Sequence, residues 1–143
     1  MSYLFLKICA LILATSFLNI AFAGGAQNWS NASDVLAIGL PLIATGKALN
    51  SGDTNDIKDL AFSLGTSIVV TQGLKSSIHE NRPNGEGNDS FPSGHSAIAF
   101  TAARFYEKRY ASEESPYLYA AAGLTALARV KADKHYNKDV LAG

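Results

Sequence analysis

Lys75 and Arg82-Pro83, then Pro92-Ser93-Gly94-His95, then Arg129, His135 and Asp139 follow one another along the second half of this 143-residue chain. Taken singly, each cluster has an ordinary reading. Lys75 and Arg82 could be surface charges, and His135 and Asp139, four apart, could be a local pair on one helix face. Taken together they suit a tetrahedral oxyanion. Three fixed cations and preorganised N–H donors meet the charge that spreads over the equatorial oxygens of a phosphoryl group in transfer. The forked guanidinium groups of Arg82 and Arg129 each suit two oxygens at once, and Lys75 adds a point charge.

Gly94 and His95 open a run, GHSAIAFTAARFYEKRY, that reads as a helix. A helix start leaves backbone N–H groups without intrahelical partners and, with the aligned peptide dipoles, favours an anion. Ser93 adds a hydroxyl, and a glycine lets a ligand approach the backbone closely. The two imidazoles divide the remaining work. An Asp139 bonded to one ring nitrogen of His135 would fix its tautomer and make the other nitrogen a better nucleophile. His95 could give a proton to the leaving oxygen and then take one from the attacking water.

Helices must position these groups. The spacing predicts one from about Asp34 to Leu49, capped by Asn31 or Ser33, with Pro41 as a kink or break. A second runs from Ile57 to about Ile78, with Asp56 as its cap and Leu60, Ala61, Leu64, Ile68 and Leu74 as its apolar set. ENRPNGEGNDSF, residues 80 to 91, is a loop. A third helix follows from Gly94 to Tyr110, a fourth from Pro116 to Val130, and HYNKDVLAG starts a fifth. No segment alternates as a strand does. The fold expected is all-α: a bundle of about five helices after an N-terminal signal or anchor helix, the last one truncated.

The chain begins MSYLFLKICALILATSFLNIAFA, a short basic region, an apolar region and a small-x-small site. That order fits a secretory signal peptide over residues 1–23, or a retained membrane anchor. Cleavage would remove Lys7 and the single cysteine, Cys9, leaving residues 24–143 with eleven basic against twelve acidic residues. A thiol-free domain is compatible with an oxidising compartment, and the balanced charge argues against nucleic acid. The place expected is the cell envelope, periplasm or inner membrane, with the site on the exported side. Whether the bundle is soluble or membrane-embedded stays open, because Lys47, Lys75, Arg104 and Arg129 interrupt its apolar segments.

Lys-x6-Arg-Pro, Pro-Ser-Gly-His and Arg-x5-His-x3-Asp, in this order, resemble the three signature motifs of the type 2 phosphatidic acid phosphatases. That superfamily also holds bacterial non-specific acid phosphatases and vanadium haloperoxidases. The resemblance spans Lys75 to Asp139. It implies that Lys75, Arg82, Ser93, Gly94 and Arg129 hold the phosphate. His95 would then be the general acid and base, His135 the nucleophile and Asp139 its orienting partner. It implies no metal and no cofactor, and a phosphate ester or lipid phosphate as substrate, with membrane association. The third motif opens with Ala128-Arg129 where the family has Ser-Arg, one hydroxyl donor fewer. In the family the helix carrying the histidine continues beyond the equivalent of Gly143, so a C-terminally incomplete core is expected.

Two other functions fit the same residues. One is a vanadate-dependent haloperoxidase. The other is a metal-binding module using His79, His95, His135 and Asp139. Outside the motifs, His79 reads as a rim residue, and Asp89 and Ser90 could line the site, though loop chemistry explains them. Trp29, Tyr106, Tyr110, Tyr117 and Tyr119 read as packing.

Overall fold

The computed structural model describes residues 23–143 together with Ile12, Thr15 and Asn19. The expected signal peptide or anchor therefore lies, but for these positions, outside the described residues. Five helices and no strand occur among the described residues: α1 (Ala26–Ser51), α2 (Thr54–Ser77), α3 (Gly94–Tyr110), α4 (Ser115–Lys131) and α5 (Asn137–Ala142).

α1 begins eight residues before the expected start, so Asn31 and Ser33 lie inside it rather than capping it. The polar first turns form helix because their polar side chains have a buried partner. Ser30, Ser33 and Asp34 face Arg129 on α4, while Ala32, Leu36 and Ala128 pack beneath with Trp29 against them. Pro41 neither ends nor splits α1. The missing backbone donor costs about 3 kcal/mol, which burial of Leu36, Ala37 and Leu40 before it and Ala44 and Ala48 after it offsets. α1 ends at Gly52, whose φ of 75° is the left-handed conformation glycine adopts without strain.

Asp53, not Asp56, caps α2: its side chain accepts from Asn55 N at 2.9 Å. Asp56 is buried one turn in, accepting from the Tyr110 hydroxyl at 2.9 Å and pairing with the Arg109 guanidinium. That network ties the start of α2 to the end of α3. Along the rest of α2 only Leu60 and Thr71 are buried. Leu64 packs partly on the core, but Ala61, Ile68 and Leu74 of the expected apolar face are exposed, together with Phe62, Val69 and Val70.

The main core lies between α1, α3 and α4 with Leu60 of α2 at its edge. Ala99, Ala102, Ala103 and Ala122 are wholly buried there, and such small side chains let helix axes come close. Tyr106 is buried as expected, edge-on to Tyr110 at 5.2 Å, whereas Tyr117 is largely exposed rather than packed in the core. α1 is the one helix among the described residues long and apolar enough to cross a membrane, with a mean hydropathy of 1.4 over its most apolar stretch.

Candidate active site

Three elements converge on one end of the bundle: the loop of residues 78–93, the first turn of α3, and the segment from Arg129 through α5. Ser93 N donates to the Asp139 carbonyl at 2.9 Å, which fastens the start of α3 to α5. Asn84 N donates to the Asp133 carbonyl at 3.0 Å, and Lys138 pairs with Glu80 at 2.5 Å, so the loop is held along the same segment. Gly85 and Gly87, both at positive φ, make the turns that bring Arg82 back toward Asp89.

Lys75 and Arg82 meet at Asp89. The guanidinium fork of Arg82 donates Nε–H to Oδ1 at 2.8 Å and an Nη2–H to Oδ2 at 2.9 Å, and Lys75 Nζ donates to the Asp89 carbonyl. Hydrogen bonds from Arg82 hold the Asp89 carboxyl below its ordinary range, and burial pushes the Lys75 ammonium down. Asp89 lines the cluster of Lys75 and Arg82, as one of the two readings of the sequence had it. His79 is exposed, as expected of a rim residue.

His135 is buried, and its Nδ1 lies 2.7 Å from the Ser90 carbonyl oxygen. A carbonyl can only accept, so Nδ1 carries the proton and, in the neutral ring, Nε2 keeps its lone pair. Desolvation, then the fields of Arg129, Lys75 and Arg82, lower the pKa of His135 to about 3. Burial and these fields therefore favour the neutral ring. The expected direct bond from Asp139 is not the one the fold makes. Asp139 Oδ2 is 3.7 Å from Nδ1, beyond hydrogen-bond range, and accepts instead from Tyr136 N at 2.8 Å and from the Ser90 hydroxyl. The physical reason is that this carboxylate, at the third position of a short helix, caps it.

His95 Nε2 lies 2.8 Å from Asp34 Oδ1 on α1, and the same oxygen is 3.5 Å from Arg129 Nη1. Burial and then the Arg129 field lower the His95 pKa, against the opposing pull of Asp34. Arg129 is buried; Nη1 also reaches Ser33 Oγ at 3.2 Å and Ser30 Oγ at 3.5 Å, but Nε has no partner. Ser93 caps α3, its hydroxyl accepting from Ser96 N and, at 3.1 Å, from Ser96 Oγ. A Cβ at Gly94 would meet no protein atom, so protein packing is not what calls for glycine there.

Lys75, Arg82, Ser93, Gly94, His95, Arg129, His135 and Asp139 thus belong to one connected arrangement. Sequence reasoning missed Asp34, Ser30 and Ser33 as site residues, and took Ser90 no further than a residue that could line the site. The only available signal was a polar stripe at positions 30, 33 and 34 on one helix face. Among the described residues no group of three or more His, Cys, Asp or Glu could hold a metal, so His79, His95, His135 and Asp139 do not form the alternative metal site.

The chain is 33% identical over 86 residues to a lipid A 1-phosphatase of Porphyromonas gingivalis, a match covering 57% of this chain and 19% of that protein. The chain thus spans about a fifth of its relative's length. No solved structure matches it. The family model described as PAP2 superfamily matches residues 56–143, more than half of the chain, and takes in all three clusters. The chain belongs to the PAP2 superfamily.

Proposed function

We propose that residues 24–143 form a phosphatase core that hydrolyses phosphate monoesters of lipids through a phosphohistidine, in the cell envelope with the site on the exported side. The observation that carries this reading is the placement of His135: it is buried, with Nδ1 2.7 Å from the Ser90 carbonyl oxygen, which leaves Nε2 free to act, and the charges of Arg129, Lys75 and Arg82 act on it. Lys75, Arg82, Arg129, Ser93 and the N–H groups at Gly94 hold the phosphate oxygens. The unpartnered Arg129 Nε is a buried donor that such an oxygen satisfies.

His135 Nε2 attacks phosphorus; the N–P bond forms as the ester P–O bond breaks, and protonated His95 gives its proton to the leaving oxygen. In the second step water attacks phosphorus and His95 takes its proton. The N–P pair then returns to Nε2, releasing phosphate and restoring both rings. The cations neutralise the charge on the equatorial oxygens without a metal. Lipid substrate is supported by what the relative's name says it acts on, by apolar α1, and by the exposed Phe62, Val69 and Val70 of α2.

The test is to fractionate the expressed protein with and without detergent and assay one water-soluble ester and one lipid phosphate. The expected result is membrane-fraction activity favouring the lipid, an acid-labile phosphoenzyme, and loss of both in His135→Ala. Turnover undiminished in His135→Ala rejects the reading.

A further inference from the structure

Ser90 touches the site at both ends of its residue. Its carbonyl receives His135 Nδ1–H at 2.7 Å, and its hydroxyl donates to Asp139 Oδ2. It is wholly buried, and Ser90 N donates to the Glu80 carbonyl at 2.9 Å, so its main chain is anchored from a third side. Asp139 stands 3.7 Å from His135 Nδ1 and gives Oδ2 to Ser90 and Tyr136.

We propose that Ser90 is the positioning residue of the nucleophile: its main chain sets the His135 tautomer, and Asp139, besides capping α5 at Tyr136 N, acts on that tautomer only by holding Ser90. The inference rests on the reading of His135 as nucleophile. Two functions usually assigned to one carboxylate are separate here. A carbonyl accepts and never donates, so Nδ1 stays protonated whatever the charge at position 139. What the Ser90 hydroxyl and Asp139 supply is placement of that carbonyl, and with it the line from Nε2 to phosphorus. A neighbouring side chain that fixes the tautomer directly has a different signature. When such a carboxylate becomes an amide, the ring takes the wrong tautomer and turnover falls by about 10⁴-fold.

The experiment compares wild type, Ser90→Ala, Asp139→Asn and the double variant in the full chain. Long-range 15N–1H spectra of the resting protein read the His135 tautomer, and steady-state kinetics separate kcat from KM. The Nδ1–H tautomer should persist in every variant. Each single change should lower kcat by about ten- to a hundredfold, as for a misplaced group, with KM within about twofold. The double variant should be no worse than the weaker single, because both act on the one Ser90–Asp139 contact: Ser90→Ala removes its donor, and Asp139→Asn replaces its charged acceptor with an amide. Three results would overturn the proposal: loss of the Nδ1–H tautomer in Asp139→Asn, wild-type kcat in Ser90→Ala, or multiplying losses in the double variant. Should Ser90→Ala not fold, Ser90→Cys, close in shape and a weak donor, carries the same comparison. Full activity in His135→Ala would remove the nucleophile reading while leaving the tautomer result to stand by itself.

Discussion

His95 Nε2 and Asp34 Oδ1 lie 2.8 Å apart although 61 residues separate them in the chain, and Arg129 approaches the same oxygen. One carboxylate from α1 therefore joins the proposed proton carrier to a proposed phosphate ligand. Burial and the Arg129 field favour a neutral His95, and Asp34 is the group that opposes them. Asp34→Asn keeps the shape and removes the charge. His95 should then hold its proton less well, moving the alkaline limb of kcat/KM to lower pH and reducing the rate at pH 7 by about tenfold per unit moved. Profiles of wild type and variant measured side by side check this; an unmoved alkaline limb denies Asp34 the role.

The same shifts set the profile of the wild type. His135 attacks only when neutral, so activity should rise with pH through about 3. His95 must be protonated to act as the acid, so activity should decline with a midpoint below 6.5. Together these give a bell with an acidic optimum, read in kcat/KM because that ratio reports the free enzyme. A maximum above pH 7 would contradict the assignment of His95.

Stability should follow His135 as well. The unfolded chain binds a proton at this ring near 6.5 and the folded chain only near 3, so between those values the unfolded state holds more protons. The ring's contribution is complete above 6.5 and is lost as pH falls toward 3. Urea midpoints at pH 7 and pH 4 should differ more in wild type than in His135→Gln, which cannot titrate. Equal differences would mean that the buried ring is not held neutral.

The motif residues were legible in the sequence because their chemistry is carried by side chains at fixed spacings. The helices of the second half were legible too, α3 to the residue, because Ser93 caps it and its periodicity is unbroken. Three things were not. Asp34 reads in sequence as the first residue of a helix, and nothing local says that its partners come from α3 and α4. The start of α1 was hidden because GGAQNWSNAS reads as a solvated loop, whereas Ser30 and Ser33 in it face buried Arg129. Ser90 could be read only as a lining residue because its main contribution is a carbonyl, which every residue has.

Arg129 offers a test of geometry against charge. Its Nη1 is occupied by Ser33, Ser30 and Asp34, while Nε lies buried without a partner. Arg129→Lys keeps the charge but loses Nε–H and the planar fork. If Nε serves a phosphate oxygen that gains charge in the transition state, kcat/KM should fall by about a hundredfold, the scale for one lost donor. A loss under about twofold would show that only charge matters at this position.

Inhibition separates the proposed chemistry from a metal-dependent one. Lys75, Arg82 and Arg129 already supply the positive charge that a metal would bring to the equatorial oxygens, and all three fields reach His135. Activity should therefore be unchanged after exhaustive treatment with EDTA. Orthovanadate should behave differently, because it forms a trigonal bipyramid resembling phosphorus in transfer and can take His135 Nε2 at one apex. A site built for that geometry binds such a mimic far more tightly than substrate, so inhibition should be competitive and absent from any binding to His135→Ala. Loss of activity with EDTA, restored by a divalent cation, would replace the cation triad by a metal as the source of catalysis. Vanadate binding undiminished in His135→Ala would place the apical ligand elsewhere.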